Sequence, residues 1–188
     1  ALQRAFALRP RRPLPAEVIT VAIDASPWGI GGLLQDSGRV VAKFYDRVTP
    51  EDVARLSVVI GDPAYQTVLE GVAILVALRV FAPVATWAGG TLASLHVRSD
   101  SKGALGAAVK GASTSDPTLN LVGQEIAYDQ AVGDYRVELY EHTPGVANIG
   151  PDFLSRTIAP GASSRTEPEY LVPVAAMDVP ERTSTWWR

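Results

Sequence analysis

Four acidic residues lie either within apolar runs or at the ends of predicted strands and helices. They are Asp24, Glu70, Asp100 and Asp152. Asp24 interrupts the apolar run of residues 18–25, and Glu70 interrupts that of residues 68–75. A carboxylate buried in such a run is costly unless it is paired or bound to a metal. Because Mg²⁺ prefers a few carboxylates plus water, these acids on neighbouring elements predict a divalent-cation site.

Each acid also has a purely structural interpretation when it is taken alone. Asp152 begins a predicted helix, where a capping aspartate is common, and Asp100 ends a predicted strand. Cations that could pair with the acids are few, namely Arg98, Lys102 and Arg156. Ligands of α/β sheets gather just beyond the carboxyl ends of the strands. The position of Asp100 therefore favours the metal-binding interpretation.

Hydrophobic periodicity and turn signals predict the elements that position these acids. Strands are predicted over residues 18–25, 31–34, 39–45, 92–98 and 136–140. Helices are predicted over residues 62–82, 101–110, 116–132 and 151–158, with 49–61 irregular or a short helix and a loop at Gly89-Gly90. Asp62-Pro63 and Asp116-Pro117 each give a cap followed by proline, and Pro83 is predicted to end the first long helix. This order predicts an α/β fold, a mixed sheet with helices on its faces.

Length and composition exclude several classes of protein. The chain has 188 residues, of which 47% are hydrophobic and 20% charged, which is typical of one globular domain with tails. It contains no cysteine, which excludes disulfides, zinc–thiolate sites and thiol nucleophiles. No uninterrupted apolar run reaches the ~18 residues of a membrane span, and the apolar part of the N-terminus is too short for a signal peptide. We therefore expect no membrane partner.

Charge is distributed unevenly along the chain. Residues 1–17 contain four arginines and one glutamate, and we predict a basic arm or linker there. Residues 18–158 form the predicted domain, which contains more acidic than basic residues. This negative net charge suits a nucleic-acid enzyme only if some of the acids hold metal ions. Residues 159–188 are rich in proline, serine and glutamate, and they are predicted to be a tail or the start of a missing module.

Four motifs surround the acids. Residues 24–34 are Asp-Ala-Ser-Pro-Trp-Gly-Ile-Gly-Gly-Leu-Leu, residues 70–78 are Glu-Gly-Val-Ala-Ile-Leu-Val-Ala-Leu, and residues 99–101 are Ser-Asp-Ser. Residues 142–156 are His-Thr-Pro-Gly-Val-Ala-Asn-Ile-Gly-Pro-Asp-Phe-Leu-Ser-Arg. Over residues 18–158 the chain resembles a ribonuclease H domain of the type that follows the polymerase in retrotransposon and retroviral reverse transcriptases. The last motif is similar to the His-x-Pro-Gly…Asn…Ala-Asp-x-Leu-Ser-Arg ending of retrotransposon domains, with proline at 151 in place of the usual alanine.

The resemblance implies a fold and an activity. The fold would be ribonuclease H-like, with a five-stranded mixed sheet whose first three strands are antiparallel and which is flanked by helices. The activity would be metal-dependent cleavage of the RNA strand of RNA/DNA hybrids during reverse transcription, which leaves 5′-phosphate and 3′-hydroxyl ends. The four acids would hold two Mg²⁺ ions, for which Mn²⁺ would substitute. Two ions about 3.5–4 Å apart can activate a water and stabilise the leaving oxygen.

Four further residues are candidates for roles beside the metal site. His142 would help a proton or the product to leave, or it would only cap a backbone carbonyl. Gln66 lies one turn before Glu70 on the same face, so it would contact the minor groove, where 2′-hydroxyls distinguish RNA, or it would be solvated. Trp28 would stack on a base or sugar, or it would pack in the hairpin. Ser26 is the remaining candidate for substrate contact.

Other functions agree less well with the sequence. The Gly-x-Ser-x-Gly nucleophile motif, the Gly-x-x-x-x-Gly-Lys-Ser/Thr phosphate loop and the Tyr-x-Asp-Asp polymerase motif do not occur. In integrases and transposases a glutamate is the last of the catalytic acids along the chain, whereas here Glu70 is the second of the four. Proofreading exonucleases have a tyrosine or histidine four or five residues before the last catalytic aspartate, and this chain has Asn148 and Ala147 at those positions. The alternative that stays open is a catalytically inactive ribonuclease H-like scaffold, although such domains usually lack one or more of the acids.

The same resemblance implies partners and a location. The expected partners are an RNA/DNA hybrid and the reverse transcriptase polymerase domain of the same polyprotein. Residues 111–120 lack the basic residues of the protruding helix of some cellular enzymes, so the domain would depend on its polymerase for substrate. The expected location is cytoplasmic, in a retroelement particle or replication complex.

Overall fold

The computed structural model describes residues 19–86, 93–133 and 135–187. The strands in these ranges are β1 (Ile19–Ala25), β2 (Gly29–Asp36), β3 (Arg39–Arg47), β4 (Ala93–Ser99) and β5 (Tyr135–His142). The α-helices are α1 (Pro50–Leu56), α2 (Gln66–Thr86), α3 (Lys102–Lys110), α4 (Pro117–Val132) and α5 (Ile149–Ser155). The basic arm predicted at residues 1–17 and the Gly89-Gly90 loop lie outside the described residues.

The strands form a single mixed sheet in the order β3-β2-β1-β4-β5. β1, β2 and β3 are antiparallel neighbours, whereas β4 pairs in parallel with both β1 and β5. Antiparallel neighbours can be joined by short turns, but parallel neighbours need a crossover connection. The connection from β3 through α2 brings β4 beside β1 in parallel, and α3 with α4 forms the crossover between the parallel neighbours β4 and β5. The predicted fold class and strand arrangement are confirmed.

Capping side chains begin the helices where the sequence predicts. The Ser101 hydroxyl accepts a hydrogen bond from the Ala104 amide at the start of α3, and Asp116 caps α4 in the same way. Asp62 caps a single 3₁₀ turn over Pro63–Tyr65 that leads directly into α2. These caps satisfy amide groups that have no partner within the helix.

α2 continues past Pro83 and ends at Thr86, so the prediction that Pro83 ends this helix is wrong. Proline removes one backbone hydrogen bond and strains the preceding turn. The side chains of Phe81, Ala82 and Ala85 are nevertheless buried around it. Packing of this last turn into the core therefore outweighs the local cost of the proline.

The same helix is long and apolar enough to cross a membrane by length and composition alone. Within its qualifying stretch, Pro63–Ala85, the most apolar 18-residue window has a mean hydropathy of 2.0. However, 78% of the most apolar window is buried inside the domain. A helix that is apolar on all sides is expected wherever sheet and helices enclose it, and α2 contacts β1, β2, α3 and α4.

The two faces of the sheet are covered by different elements. Val21, Ile23 and Ala25 of β1 belong to the main core around α2. The alternate residue Ala22 belongs to a second, smaller cluster with Leu154 of α5 and Leu171. Because successive strand residues face opposite sides, Asp24 lies on the side that α5 covers.

Residues 159–187, here called the C-terminal segment, pack against the domain. The sequence predicts a tail or the start of another module for this region. In the structure, Leu171 is fully buried and Trp187 is 4% exposed. Ala176 forms a parallel bridge with Lys43 of the edge strand β3, and the Lys43 ammonium donates to the Leu171 carbonyl. The packed structure therefore extends well beyond residue 158.

Candidate active site

Three of the four predicted acids converge at one edge of the sheet. Asp24 is the penultimate residue of β1, Glu70 extends from α2, and Asp100 follows β4 directly. Each offers a carboxylate oxygen, and the three oxygens lie within 4.8 Å of one another. Together with Asp152 they line an open cleft of about 400 Å³. This is the arrangement of oxygen donors that hard divalent cations prefer.

Parallel pairing explains why Asp24 and Asp100 meet. Ala22 of β1 is aligned with Arg98 of β4. Two residues further along each strand, Asp24 and Asp100 therefore come to the same edge. The sequence alone could not show that Asp24 and Asp100 are neighbours. Their proximity depends on the register between β1 and β4, which is set by the tertiary structure.

Buried donors fix the carboxylate of Asp24, which is 4% exposed. The Ser155 hydroxyl of α5 donates to Oδ2 at 2.5 Å, and the Asn148 amide donates to Oδ1 at 3.4 Å and to the Ile23 carbonyl at 2.9 Å. α5 can approach this closely because β2 carries Gly31 beneath it. A Cβ on Gly31 would lie 2.5 Å from the Leu154 Cβ and 2.6 Å from the Ser155 nitrogen.

Glu70 is held by three donors from different elements and is 2% exposed. The Ala25 amide donates to Oε1 at 3.1 Å, and the Gln66 side-chain amide donates to the same oxygen at 3.0 Å. The Ser99 hydroxyl donates to Oε2 at 3.3 Å. These contacts hold the carboxylate at the strand ends rather than in the apolar interior of α2.

Burial and mutual repulsion disfavour the charged forms of two of these acids. Burial raises the pKa of Asp24 to about 7, and the charges of Asp100 and Asp152 add to the increase. Burial, followed by the charge of Asp24, raises the pKa of Glu70 well above its usual range. A divalent cation would reverse both effects, because it supplies opposite charge within the cluster, where the charge of Arg156 only partly offsets the increase for Asp24. The donor set therefore fits a metal ion.

The metal-free protein is expected to lose stability as the pH rises from about 4 to about 7. Asp24 titrates near pH 3.8 when unperturbed but near pH 7 in the folded chain, so the folded state retains a proton that the unfolded chain releases. Between these two values folding takes up a proton, and above about pH 7 the folded chain must bury a carboxylate that is charged in both states. The free energy of unfolding should therefore fall by on the order of 2–4 kcal/mol. Urea unfolding in EDTA across this pH range measures the effect.

An Asp24→Asn variant is the control for this pH dependence, because its amide cannot ionise. Its free energy of unfolding in EDTA should vary less with pH than that of the wild type. Added Mg²⁺ should remove much of the wild-type loss at pH 8, since a ligand that binds only the folded state stabilises it. Identical pH dependence in both proteins would show that Asp24 does not carry the shifted titration.

The fourth acid, Asp152, lines the cleft but is paired differently. Among the described residues, its oxygens do not join the group of three within 4.8 Å. Oδ1 accepts from Arg156 Nε at 2.6 Å, and Oδ2 accepts from an Arg165 guanidinium nitrogen at 2.6 Å. Burial alone would raise the pKa of Asp152, but the hydrogen bonds and charges of the two arginines lower it below the usual value.

His142 lies at the end of β5, next to the metal-ligand candidates. Its Nε2 is 3.1 Å from the backbone oxygen of Asp100, and the side chain is exposed. The contact is the carbonyl cap that the sequence offers as one of two interpretations. The ring is exposed to solvent, and a role in catalysis stays a prediction.

Replacing His142 with alanine is expected to slow hybrid cleavage about 10²-fold without abolishing it, the contribution of a positioned proton-transfer group. Single-turnover rates of the wild type and the variant measure this. A His142→Asn variant retains a side-chain donor to the Asp100 carbonyl but cannot transfer a proton at neutral pH. Full activity of His142→Asn would assign the histidine a purely structural role.

The three residues predicted to contact substrate have different environments. Gln66 lines the cleft, but its amide is engaged by the Ala25 carbonyl at 2.5 Å and by Glu70. Ser26 is fully buried, and its hydroxyl donates to the Ser155 carbonyl at 2.7 Å. Ser26 therefore shapes the turn after β1, and its contact with substrate stays a prediction. Trp28 is half-buried next to Gly61 of the connection between α1 and α2, and both interpretations of this side chain stay predictions.

Sequence reasoning missed the residues that orient the acids. Ser99, Asn148 and Ser155 all donate to Asp24 or Glu70, and two of them lie within the motif of residues 142–156. Their polarity inside otherwise apolar surroundings was the available signal. Arg165 was also missed, because nothing local in the segment around it indicates that it reaches the cleft.

Comparison with solved structures places this architecture in a known fold. The chain is similar to the RNase H1 of the halophilic archaeon Halobacterium salinarum NRC-1, with a TM-score of 0.57 and 18% identity over 78% of this chain and 97% of that one. It is also similar to LC11-RNase H1, an enzyme isolated from compost by a metagenomic approach and solved in complex with an RNA/DNA hybrid. That match has a TM-score of 0.55 and 18% identity over 72% of this chain and 92% of the other.

The chain therefore has the ribonuclease H fold. No protein-family model matches the sequence, and a search of curated proteins finds no match.

Proposed function

We propose that this protein is a metal-dependent endoribonuclease that cleaves the RNA strand of RNA/DNA hybrids. The observation that carries the proposal is the convergence of Asp24, Glu70 and Asp100 at one end of a ribonuclease H-fold sheet. Two of these carboxyls have raised pKa values that a bound cation would reverse. A purely structural cluster would gain nothing from placing three acids this close together.

The chain's own residues would bind, orient and transfer protons. Asp24, Glu70 and Asp100 would hold Mg²⁺ or Mn²⁺, and Asp152 would complete a site for two ions. When bound, such ions activate water and stabilise the leaving oxygen at phosphorus. Ser155 and Asn148 would keep Asp24 in its ligating orientation. His142 would exchange a proton beside Asp100, and the products would carry 5′-phosphate and 3′-hydroxyl ends.

Electrostatics explains why the reaction would need metal even for substrate binding. Four carboxylates line a cleft with Arg156 as the only cation among the residues that line it. A phosphodiester entering that cleft without bound cations would meet strong repulsion. Divalent ions invert the sign of the local field and so attract the backbone.

A nuclease assay on defined substrates tests the proposal. The purified chain would be incubated with an RNA/DNA hybrid, duplex RNA and duplex DNA of the same sequence, each with Mg²⁺, Mn²⁺ or EDTA. Cleavage confined to the RNA strand of the hybrid and dependent on metal is the expected result. Hybrid binding without cleavage under every metal condition would instead favour the inactive scaffold.

We also propose a setting for this activity, supported by the motif of residues 142–156, which is similar to retrotransposon domains. The domain would act beside a reverse transcriptase polymerase of the same polyprotein, in a cytoplasmic retroelement particle. Addition of a polymerase domain in trans should then increase hybrid cleavage at low enzyme concentration. No effect at any concentration would leave the nuclease proposal intact and remove this one.

A further inference from the structure

Two arginines from different parts of the chain hold the carboxylate of Asp152. Arg156 lies one turn further along from Asp152, whereas Arg165 belongs to the C-terminal segment. Each arginine takes a different oxygen at 2.6 Å. Asp24, Glu70 and Asp100 are not the acceptors in any arginine ion pair found among the described residues. Asp152 is therefore the one acid of the cleft whose oxygens are both engaged by cationic side chains.

The packing of the C-terminal segment fixes the position of Arg165. Two residues beyond it, Glu167 forms an ion pair with Lys43 of β3 at 2.7 Å. Leu171 is fully buried beside α5, in the same cluster as Leu154. Ala176 then pairs with the backbone of β3. Arg165 thus approaches Asp152 from an anchored part of the chain and not from a free end.

A guanidinium and a divalent cation compete for the same carboxylate oxygens. To act as a metal ligand, Asp152 must turn an oxygen towards the three other acids, and the cation must approach a positively charged group. Both side chains remain partly accessible, with 31% of Asp152 and 38% of Arg165 exposed. The ion pair can therefore open without unfolding the segment.

We propose that Arg165 is a positioning residue that holds Asp152 away from the other acids and so weakens binding of a second divalent ion. This inference rests on the proposed function, since it concerns the same metal site. The cluster of Asp24, Glu70 and Asp100 binds the first ion whether or not Arg165 is present. The second ion binds only when Asp152 exchanges Arg165 for the metal, so the C-terminal segment sets the metal requirement of the site.

Titration with Mn²⁺ alone tests the proposal without any measurement of activity. Electron paramagnetic resonance of free Mn²⁺ would give the stoichiometry and both dissociation constants for the wild type and for Arg165→Gln. The variant is expected to bind the second ion about tenfold more tightly, because a unit positive charge beside the ligand is removed. The affinity for the first ion should change by much less.

Arg39→Gln is the matched control, since it removes the same charge from the exposed start of β3. Its second-ion affinity should stay within about twofold of the wild type, as expected for a distant, screened charge. Arg165→Lys keeps the charge without the planar fork and should give an intermediate affinity. Arg165→Met provides a second neutral variant if Arg165→Gln does not fold.

The outcomes separate this inference from the proposed function. Equal second-ion affinities in Arg165→Gln, Arg39→Gln and the wild type would overturn the role of Arg165 while one-ion binding at the acidic cluster remained. Absence of any Mn²⁺ binding in the wild type, with Asp24→Asn indistinguishable from it, would overturn the proposed function itself. A tighter second site in Arg165→Gln alone supports both.

Discussion

Asp24→Asn is expected to reduce cleavage of the RNA/DNA hybrid by at least ~10³-fold while leaving the protein folded. The substitution removes the charge of a metal ligand and almost no volume. Loss of one ligand from a metal that stabilises charge in the transition state costs several kcal/mol, and each 1.36 kcal/mol corresponds to a factor of ten in rate. Single-turnover cleavage in Mg²⁺, with the RNA strand labelled, measures the change.

The surroundings of Asp24 make this variant a clean test. An asparagine can still accept from Asn148 and can donate to the Ser155 hydroxyl, which now donates to the acid. The buried network is thus preserved while the charge is lost. Asp36→Asn in the exposed hairpin is the control for a loss of one negative charge and should cleave at the wild-type rate. An Asp24→Asn protein with full activity would exclude the proposed mechanism.

The positions of the acids could be predicted because they conflict with their local surroundings. Asp24 and Glu70 interrupt apolar runs, and such conflicts between local pattern and chemistry are expected at functional sites. The caps Ser101 and Asp116 were equally recognisable, since capping depends on adjacent residues. The order of the elements predicted a mixed sheet with helices on its faces. The family resemblance of the four motifs implied the more detailed arrangement, in which the first three strands are antiparallel.

The packing of the C-terminal segment could not be predicted, because the contacts that anchor it to the domain are long-range. It has neither helical nor strand periodicity, and proline interrupts it repeatedly. The residues that hold it, Leu171 and Arg182, find partners more than 100 positions earlier in the chain. Composition alone indicates a tail for such a sequence. The ion pair between Arg165 and Asp152 spans only 13 positions, but it depends on how the segment folds back after α5, which no local pattern indicates.

Arg182 anchors the distal part of this segment in a buried polar network. Its side chain is fully buried, and its Nε donates to both oxygens of Asp52 at 3.0 Å. The other guanidinium nitrogens donate to Asp46 at 2.7 Å and to the Arg47 carbonyl at 2.5 Å. Asp52 is 1% exposed and also caps α1 by accepting from the Thr49 amide. One arginine therefore ties the segment to β3 and α1 together.

Arg182→Met is expected to destabilise the protein by about 3–5 kcal/mol. It leaves the Asp52 carboxylate buried, with the Thr49 amide as a hydrogen-bond donor but without its paired cation. For a chain of this size, that corresponds to a decrease of roughly 10 °C in the melting temperature. Thermal and urea unfolding measure the change.

Arg98→Met is the matched control, because both side chains of its ion pair with Glu141 are more than 40% exposed. This variant should lose at most about 1 kcal/mol of stability. In the double variant Asp52→Asn/Arg182→Met the unpaired charge is gone, and about 1–3 kcal/mol of the loss should be recovered. Equal effects of Arg182→Met and Arg98→Met would show that the buried network does not hold the C-terminal segment in place.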